Sequence, residues 1–431
     1  MSDPPADDPV ADAWPPPHEP TPADGSGEAE PEREPRERRL TGRARLAMMA
    51  ACAVLTVVVA GILVLSLRPD SAPPDRPGLD AWAPYWALDD SLPDLAARSG
   101  TIADLSPFWY KAERADSIVV DENASKAGTA AFLAAAQQAG IRLVPSVVDG
   151  TPSGAMAAVL ADPTQRAIHV KALADFAAKG DFAGLDIDYE KFAFSDDRSS
   201  WATTRPSWVA FVTELAEQLH ADGRTLTVSI PPIYDSGRTS DSGYWVYDYA
   251  AITPLVDHIR VMAYDYSTSS PGPIAPLDWV QQSIDATAEA SGDPSKLVLG
   301  LPLYGYNWVV ATAGTCPTGQ AEGRSTVTTR SADELAARRG ATPIYDAVTG
   351  EWAFTYQLEL SDGTTSCTQT REVHYIDSQG ALARLALAEE AGFDGGSLWA
   401  LGYEDEELWS GLSPAGATAT STLRARESGP L

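Results

Sequence analysis

A chain of 431 residues with 44% apolar content can bury a substantial core, enough for one large α/β barrel with additions or for two average domains. Its formal charge of −29, from 60 acidic against 31 basic residues, argues against nucleic acid or an anionic membrane face as a partner, because phosphate would be repelled. The five histidines (His18, His169, His220, His258 and His374) are scattered without an HExxH spacing, so no metal site is expected.

Residues 1–45 are rich in Pro, Asp, Glu and Ala, almost free of aromatics, and read as a disordered cytoplasmic tail. Arg33, Arg36, Arg38, Arg39, Arg43 and Arg45 close that stretch. The uncharged run Leu46–Leu67 follows, long enough for one transmembrane helix. The arginines hold its start on the cytoplasmic side, so everything after Arg68 is expected outside the cell membrane. A cleaved signal peptide is the alternative, but the run is long for one and starts far from Met1. The Pro-rich linker 68–78 reaches at most about 35 Å. Residues 413–431 read as a second disordered tail.

Between these ends, residues 79–412 alternate strand-like and helical patterns. Strands are expected at Ala81–Trp86, Asp104–Tyr110, Ile141–Val148, Ala183–Glu190, Leu226–Pro232, His258–Tyr266, Leu297–Trp308 and Gly395–Leu401. Trp208, Phe211, Val212, Leu215 and Leu219 mark one helix face, with Pro206 near its start and Gly223 past its end. Leu382, Leu385 and Ala386 mark another. Eight alternating units predict a (β/α)₈ TIM barrel. An open doubly wound sheet is the alternative, but no GxGxxG follows an early strand. From about 309 to 371 the helical pattern lapses, and a small α+β insertion after the seventh strand is expected there. It holds Cys316 and Cys367, which outside the cytoplasm would pair in a disulfide worth roughly 3–4 kcal/mol. Two free thiols are the alternative.

The fourth strand carries the chemistry. In Phe182–Phe192, FAGLDIDYEKF, the carboxylates Asp186, Asp188 and Glu190 recur at every second position. Alternate strand residues share a face at about 6.6 Å spacing, so the three point one way while Leu185, Ile187 and Tyr189 point to the helix layer. In a barrel the first direction is the interior, with Glu190 at the C-terminal mouth where active sites lie. Clustered buried carboxyls raise one another's pKa, which supplies a general acid near neutral pH. A solvated acidic edge strand is the alternative, but it leaves the apolar opposite face unexplained.

Gly184–Glu190 resembles the DGxDxDxE signature of glycoside hydrolase family 18, the chitinase-like barrels. Val261–Tyr266 is similar to that family's sixth-strand M-x-Y-D motif, Leu299–Trp308 to its seventh-strand segment, and Ser397–Trp409 to its eighth. The wording of PLYGYNW, REVHYID and LGYEDEELW resembles a bacterial subgroup that includes YaaH-type spore-germination peptidoglycan hydrolases. The resemblance implies that Glu190 is general acid and then base, with the substrate's own 2-acetamido group as nucleophile. Asp188 would hold the acetamido N–H and share a proton with Asp186, and Tyr264 would bond the acetamido oxygen. Asp265 and Met262 would contact the sugar, Trp399 would floor it, and Tyr85, Trp109 and Tyr304 would line the cleft. The implied partner is an N-acetylated glycan, peptidoglycan or chitin, acted on by a membrane-tethered monomer without cofactor. A lectin-like barrel without turnover and a protein-binding scaffold are the alternatives. One departure stands out: Ala183 occupies the position where the family pattern begins with Asp. That position is expected to open the carboxylate relay, deepest in the barrel, so its loss should perturb Asp186 and shift the pH profile.

Overall fold

The computed structural model describes residues 79–412, apart from 94, 125–127, 235–241 and 320–322. The expected tail (1–45), membrane helix (46–67), linker (68–78) and terminal tail (413–431) therefore lie outside the described residues. Among the described residues, no helix is long and apolar enough to cross a membrane.

Eight parallel strand positions close on themselves. In chain order they are β1 (Leu79–Pro84), β2 (Ile102–Arg114) with its antiparallel partner β3 (Ser117–Val120), the short pair β4 (Arg142–Leu143) and β5 (Ser146–Asp149), β6 (Gly184–Asp188), β7 (Thr225–Ile230), β8 (His258–Val261), β9 (Leu297–Pro302) and, after an insertion, the last barrel strand Gly396–Trp399. Ala81 on β1 pairs both with Leu398 on that last strand and with Leu105 on β2, which closes the ring. The expected third strand is broken at Val144–Pro145 into β4 and β5, because proline cannot donate to the ladder.

Helices cover the outside. Trp201–Ala221 buries Trp208, Phe211, Val212, Leu215 and Leu219, the face its spacing predicts, and ends before Gly223 at φ 72°. It starts five residues ahead of Pro206, so the proline sits inside its second turn. Ser378–Glu390 buries Ala381, Arg384, Leu385 and Ala388, a face centred on an arginine.

The expected seventh strand divides. β9 stays in the barrel, whereas β10 (Tyr304–Gly314) leaves it to enter a five-stranded antiparallel sheet. Its other strands are β11 (Arg324–Thr328), β12 (Ile344–Asp346), β13 (Glu351–Ser361) and β14 (Ser366–Tyr375), in the order β11-β10-β14-β13-β12. The helix Thr329–Arg339 packs on it over a small core of Val327, Leu335, Phe354, Tyr356, Val373 and Tyr375. This α+β insertion therefore extends beyond 309–371 at both ends. Cys316 and Cys367 are joined in a disulfide within it. A buried ion pair docks it on the barrel: Arg384 meets Glu351 at 3.1 Å and donates to the Ala275 carbonyl, while Glu351 accepts the N–H groups of Ile274 and Ala275 at 2.7 Å.

Candidate active site

The interior of this barrel is polar at its centre. The Asp186 carboxylate accepts four hydrogen bonds: from Trp82 Nε1 (3.1 Å), Ser146 Oγ (2.6 Å) and Arg260 Nη1 (3.1 Å) on Oδ2, and from Ser229 Oγ (2.7 Å) on Oδ1. Side chains from β1, β5, β6, β7 and β8 thus converge on one group. The outward residues of β6 do the opposite work. Leu185 and Ile187 are fully buried under the helices. Tyr189 follows them outward, its hydroxyl 2.7 Å from His169 Nε2. His169 Nδ1 donates to the Ala115 carbonyl, and burial pushes this imidazole down to about 4, so it is neutral and accepts from Tyr189. Gly184 is required where it stands, since a Cβ there would lie 2.2 Å from Thr225 Oγ1.

Two residues further toward the mouth, Asp188 is buried and shares a hydrogen bond with Glu190, whereas Asp186 acts on it through charge. Burial, then the charges of Glu190 and Asp186, push the Asp188 carboxyl well above the usual range. Glu190 lies just past the end of β6 with helical backbone angles, at the start of the short helix Lys191–Phe194. Burial and the nearby Asp265 charge push its carboxyl up to about 7. The pair therefore keeps its protons to higher pH than two ordinary carboxyls would.

Tyr264 and Asp265 follow β8. Burial, reinforced by Glu190 and Asp188, drives the Tyr264 hydroxyl well above its ordinary range, so it stays a donor. Gly300 makes room for its ring: a Cβ there would lie 2.7 Å from Tyr264 Cε1. Asp265 takes left-handed backbone angles (φ 60°), a conformation that Asp tolerates better than most residues. Its Oδ1 accepts the hydroxyls of Tyr304 and Tyr306, the latter at 2.8 Å. Arg324 lies over the Tyr306 ring at 4.1 Å and donates to the Thr268 carbonyl.

Trp399 is half-buried in an aromatic nest, edge-on to Phe108 (4.9 Å), Trp82 (5.7 Å) and Trp86 (6.5 Å). Tyr85 packs on Trp86 at 4.8 Å, beside this nest. Met262 is buried just past the end of β8, its N–H bonded to the Ile230 carbonyl. Trp109 corrects an expectation. It packs on Phe132 of the helix Thr129–Gln138, in the outer layer and away from the cleft. The reason is strand alternation: Asp104, Ser106 and Phe108 face inward, so Trp109 faces out. A bulge in β2, where Phe108 pairs with Ser146 and Tyr110 with the next residue, Val147, turns Tyr110 out beside it. The extra residue puts Trp109 and Tyr110 on the helix side together and leaves Phe108 facing Trp399. Among the described residues, no group of three His, Cys, Asp or Glu side chains is placed to hold a metal ion.

With this geometry in hand, comparison with known proteins is decisive about kinship. Residues 102–404 match the model of glycosyl hydrolases family 18. The chain belongs to that family. The Bacillus subtilis protein YdhD is 33% identical over 156 residues, covering 35% of this chain and 34% of its own. The cortical fragment-lytic enzyme of Bacillus subtilis is 25% identical over 269 residues, covering 62% of this chain and 57% of that enzyme. This chain thus spans from a third to somewhat over half the length of those relatives. A chitinase from Chromobacterium violaceum superposes with a TM-score of 0.65 at 22% identity, over 79% of this chain and 99% of that one, a likeness of fold.

Within this family 18 barrel, the position of Ala183 also corrects an expectation. Strand alternation puts residue 183 on the face of Leu185 and Ile187, opposite Asp186. Ala183 accordingly lies at the barrel base near Phe182, Arg142 and Arg224, bonded through its backbone to Leu143 and Thr225. It is no member of the carboxylate row. Asp80, Trp82, Phe108, Arg260 and Tyr306 are site residues that motif reading missed. A signal for several was present: Asp80 and Trp82 on β1, and Asp104, Ser106 and Phe108 on β2, alternate like the carboxylates of β6.

Proposed function

We propose that this chain is a membrane-anchored, extracytoplasmic glycosidase that cleaves β-1,4 bonds beside N-acetylglucosamine by substrate-assisted, retaining catalysis. The observation that carries this reading is the Asp188–Glu190 pair, hydrogen bonded, buried so that both carboxyls resist ionisation, and faced by Tyr264 and Asp265. A carboxyl poised near pH 7 is suited to protonate a leaving glycosidic oxygen and then, as carboxylate, to take a proton from water. The family resemblance supplies the nucleophile, the substrate's 2-acetamido oxygen attacking C1. Asp188 is then placed to accept the acetamido N–H and to stabilise the cationic ring, with Tyr264 donating to the acetamido oxygen. Trp399 offers its open face as the floor for the sugar, and Asp265, held by Tyr304 and Tyr306, binds it from the side.

Cell-wall glycan is the favoured substrate. A linker of at most about 35 Å would keep the site near the bilayer, and one relative is named for lysing cortical fragments. The test pairs a chromogenic β-N-acetylglucosaminide and chito-oligosaccharides with isolated wall glycan, using wild type and Glu190→Gln. Glycan binding without turnover by wild type refutes the enzyme reading. Rapid chitin cleavage with an unchanged muropeptide profile refutes the wall substrate.

A further inference from the structure

Arg260 is the least expected residue in the barrel. It is fully buried on β8, yet it contacts two carboxylates, Asp186 (3.1 Å) and Asp80 (3.1 Å), donates to Ser106 Oγ (2.6 Å) and lies over the Trp82 ring (4.9 Å). A lone guanidinium in the core would be expelled unless it were paired, and one paired only for stability would gain little over apolar packing. Its placement beneath the carboxylate row suggests another use. All four hydrogen bonds to Asp186 come from donors, two of them the obligate donors Trp82 Nε1 and Arg260 Nη1. Both obligate donors meet Oδ2, which therefore only accepts, and a proton could sit on Oδ1 only if the Ser229 hydroxyl turned round to accept it.

We propose that Arg260 is a positioning residue for the glycosidase reaction: it holds Asp186 as a fixed anion and so confines the mobile proton of the row to Asp188 and Glu190. The proposal rests on the glycosidase reading and deepens it, since a row that shares its proton between Asp186 and Asp188 would lose its last anion on mild acidification. With Arg260 in place, one anion persists behind Asp188 when both Asp188 and Glu190 are protonated, and the cationic ring of the intermediate still meets a counter-charge. The same clamp reaches the sugar floor, because Trp82, which bonds Asp186, also braces Trp399 edge-on. The charged and titratable groups that face this centre are Asp80 on β1, Asp104 on β2 with its partner Arg142 on β4, Asp188 and Glu190 along β6 and its end, and Tyr264 after β8.

The test removes one cation and one anion together, Arg260→Gln with Asp80→Asn, so that the net charge of the core is unchanged and only Asp186 loses its cation, and compares it with Arg260→Lys. Carboxyl ¹³C NMR, with Asp186 assigned through Asp186→Asn, reads the row directly and needs no turnover. Between pH 8 and 4 the Asp186 signal should keep its carboxylate position in wild type and Arg260→Lys, and should move toward the protonated position in the double variant. The acid limb of kcat/KM should rise by about 1–3 units in the double variant, return toward wild type in Arg260→Lys, and leave the alkaline limb set by Glu190 much less changed. Identical Asp186 titration in wild type and folded double variant overturns the proposal. If wild type cleaves no glycan, the glycosidase reading fails, while the NMR comparison still decides the role of Arg260.

Discussion

Replacing Glu190 by Gln should abolish turnover and at the same time make the protein more stable, but only above a certain pH. The carboxyl is pushed from 4.5 to about 7, first by burial and then by the Asp265 charge. That span of roughly 2.5 units at 1.36 kcal/mol each gives an upper value of about 3 kcal/mol for ionising Glu190 in the folded state. Residual solvent contact and the bond to Asp188 reduce it, so about 1–3 kcal/mol is expected. The sign follows from the raised pKa: the folded state keeps its proton longer than the unfolded chain. Its advantage is whole below pH 4.5 and is lost as pH climbs through about 7. Glu190→Gln never ionises and escapes that loss. At pH 5 the two proteins should melt together, and at pH 8 the variant should melt a few degrees higher, at about 2–4 °C per kcal/mol. Calorimetry at both pH values measures the difference, and kcat should fall by about 10²–10⁴. Equal melting differences at pH 5 and pH 8 would show that Glu190 is not held neutral by its surroundings.

Four further outcomes follow from the geometry. In wild type, kcat/KM should fall tenfold per unit above about pH 7, because the acid form of Glu190 disappears there; a profile flat to pH 9 would assign the acid elsewhere. Ala183→Asp should leave that profile in place, since residue 183 faces away from Asp186, and a displacement of about one unit would restore it to the relay. Tyr264→Phe keeps the buried ring but removes the donor, and should lower kcat by about 10–100-fold, the loss of one hydrogen bond to a charged centre. Arg384→Met leaves Glu351 buried and unpaired beneath the insertion and should destabilise by about 3–5 kcal/mol in urea unfolding; a loss below about 1 kcal/mol would mean that the insertion docks by other contacts.

Much of the fold is legible in the chain because a barrel strand advertises itself twice, by apolar residues on the helix side and by polar ones within. The reading is weakest where backbone irregularity intervenes. Trp109 is expected in the cleft from its place near a strand end, but alternation along β2 turns it outward, and one extra residue sends Tyr110 the same way. The seventh segment reads as one strand because β9 and β10 are both apolar, and only the departure of β10 into a second sheet separates them.

The sequence by itself determined the carboxylates of β6, their common face and the order of the motifs around them, because a strand's alternation is a local property of consecutive residues. The tertiary structure decided what those carboxylates meet. Arg260 reaches Asp186 across 74 positions and Asp80 across 180, and no local pattern predicts such a meeting. Ring closure brings β1 and β8 to the same interior centre, where low polarity makes each charge depend on its partner. The local pattern therefore sets the carboxylates in a row, and the closed barrel sets which partners each of them meets.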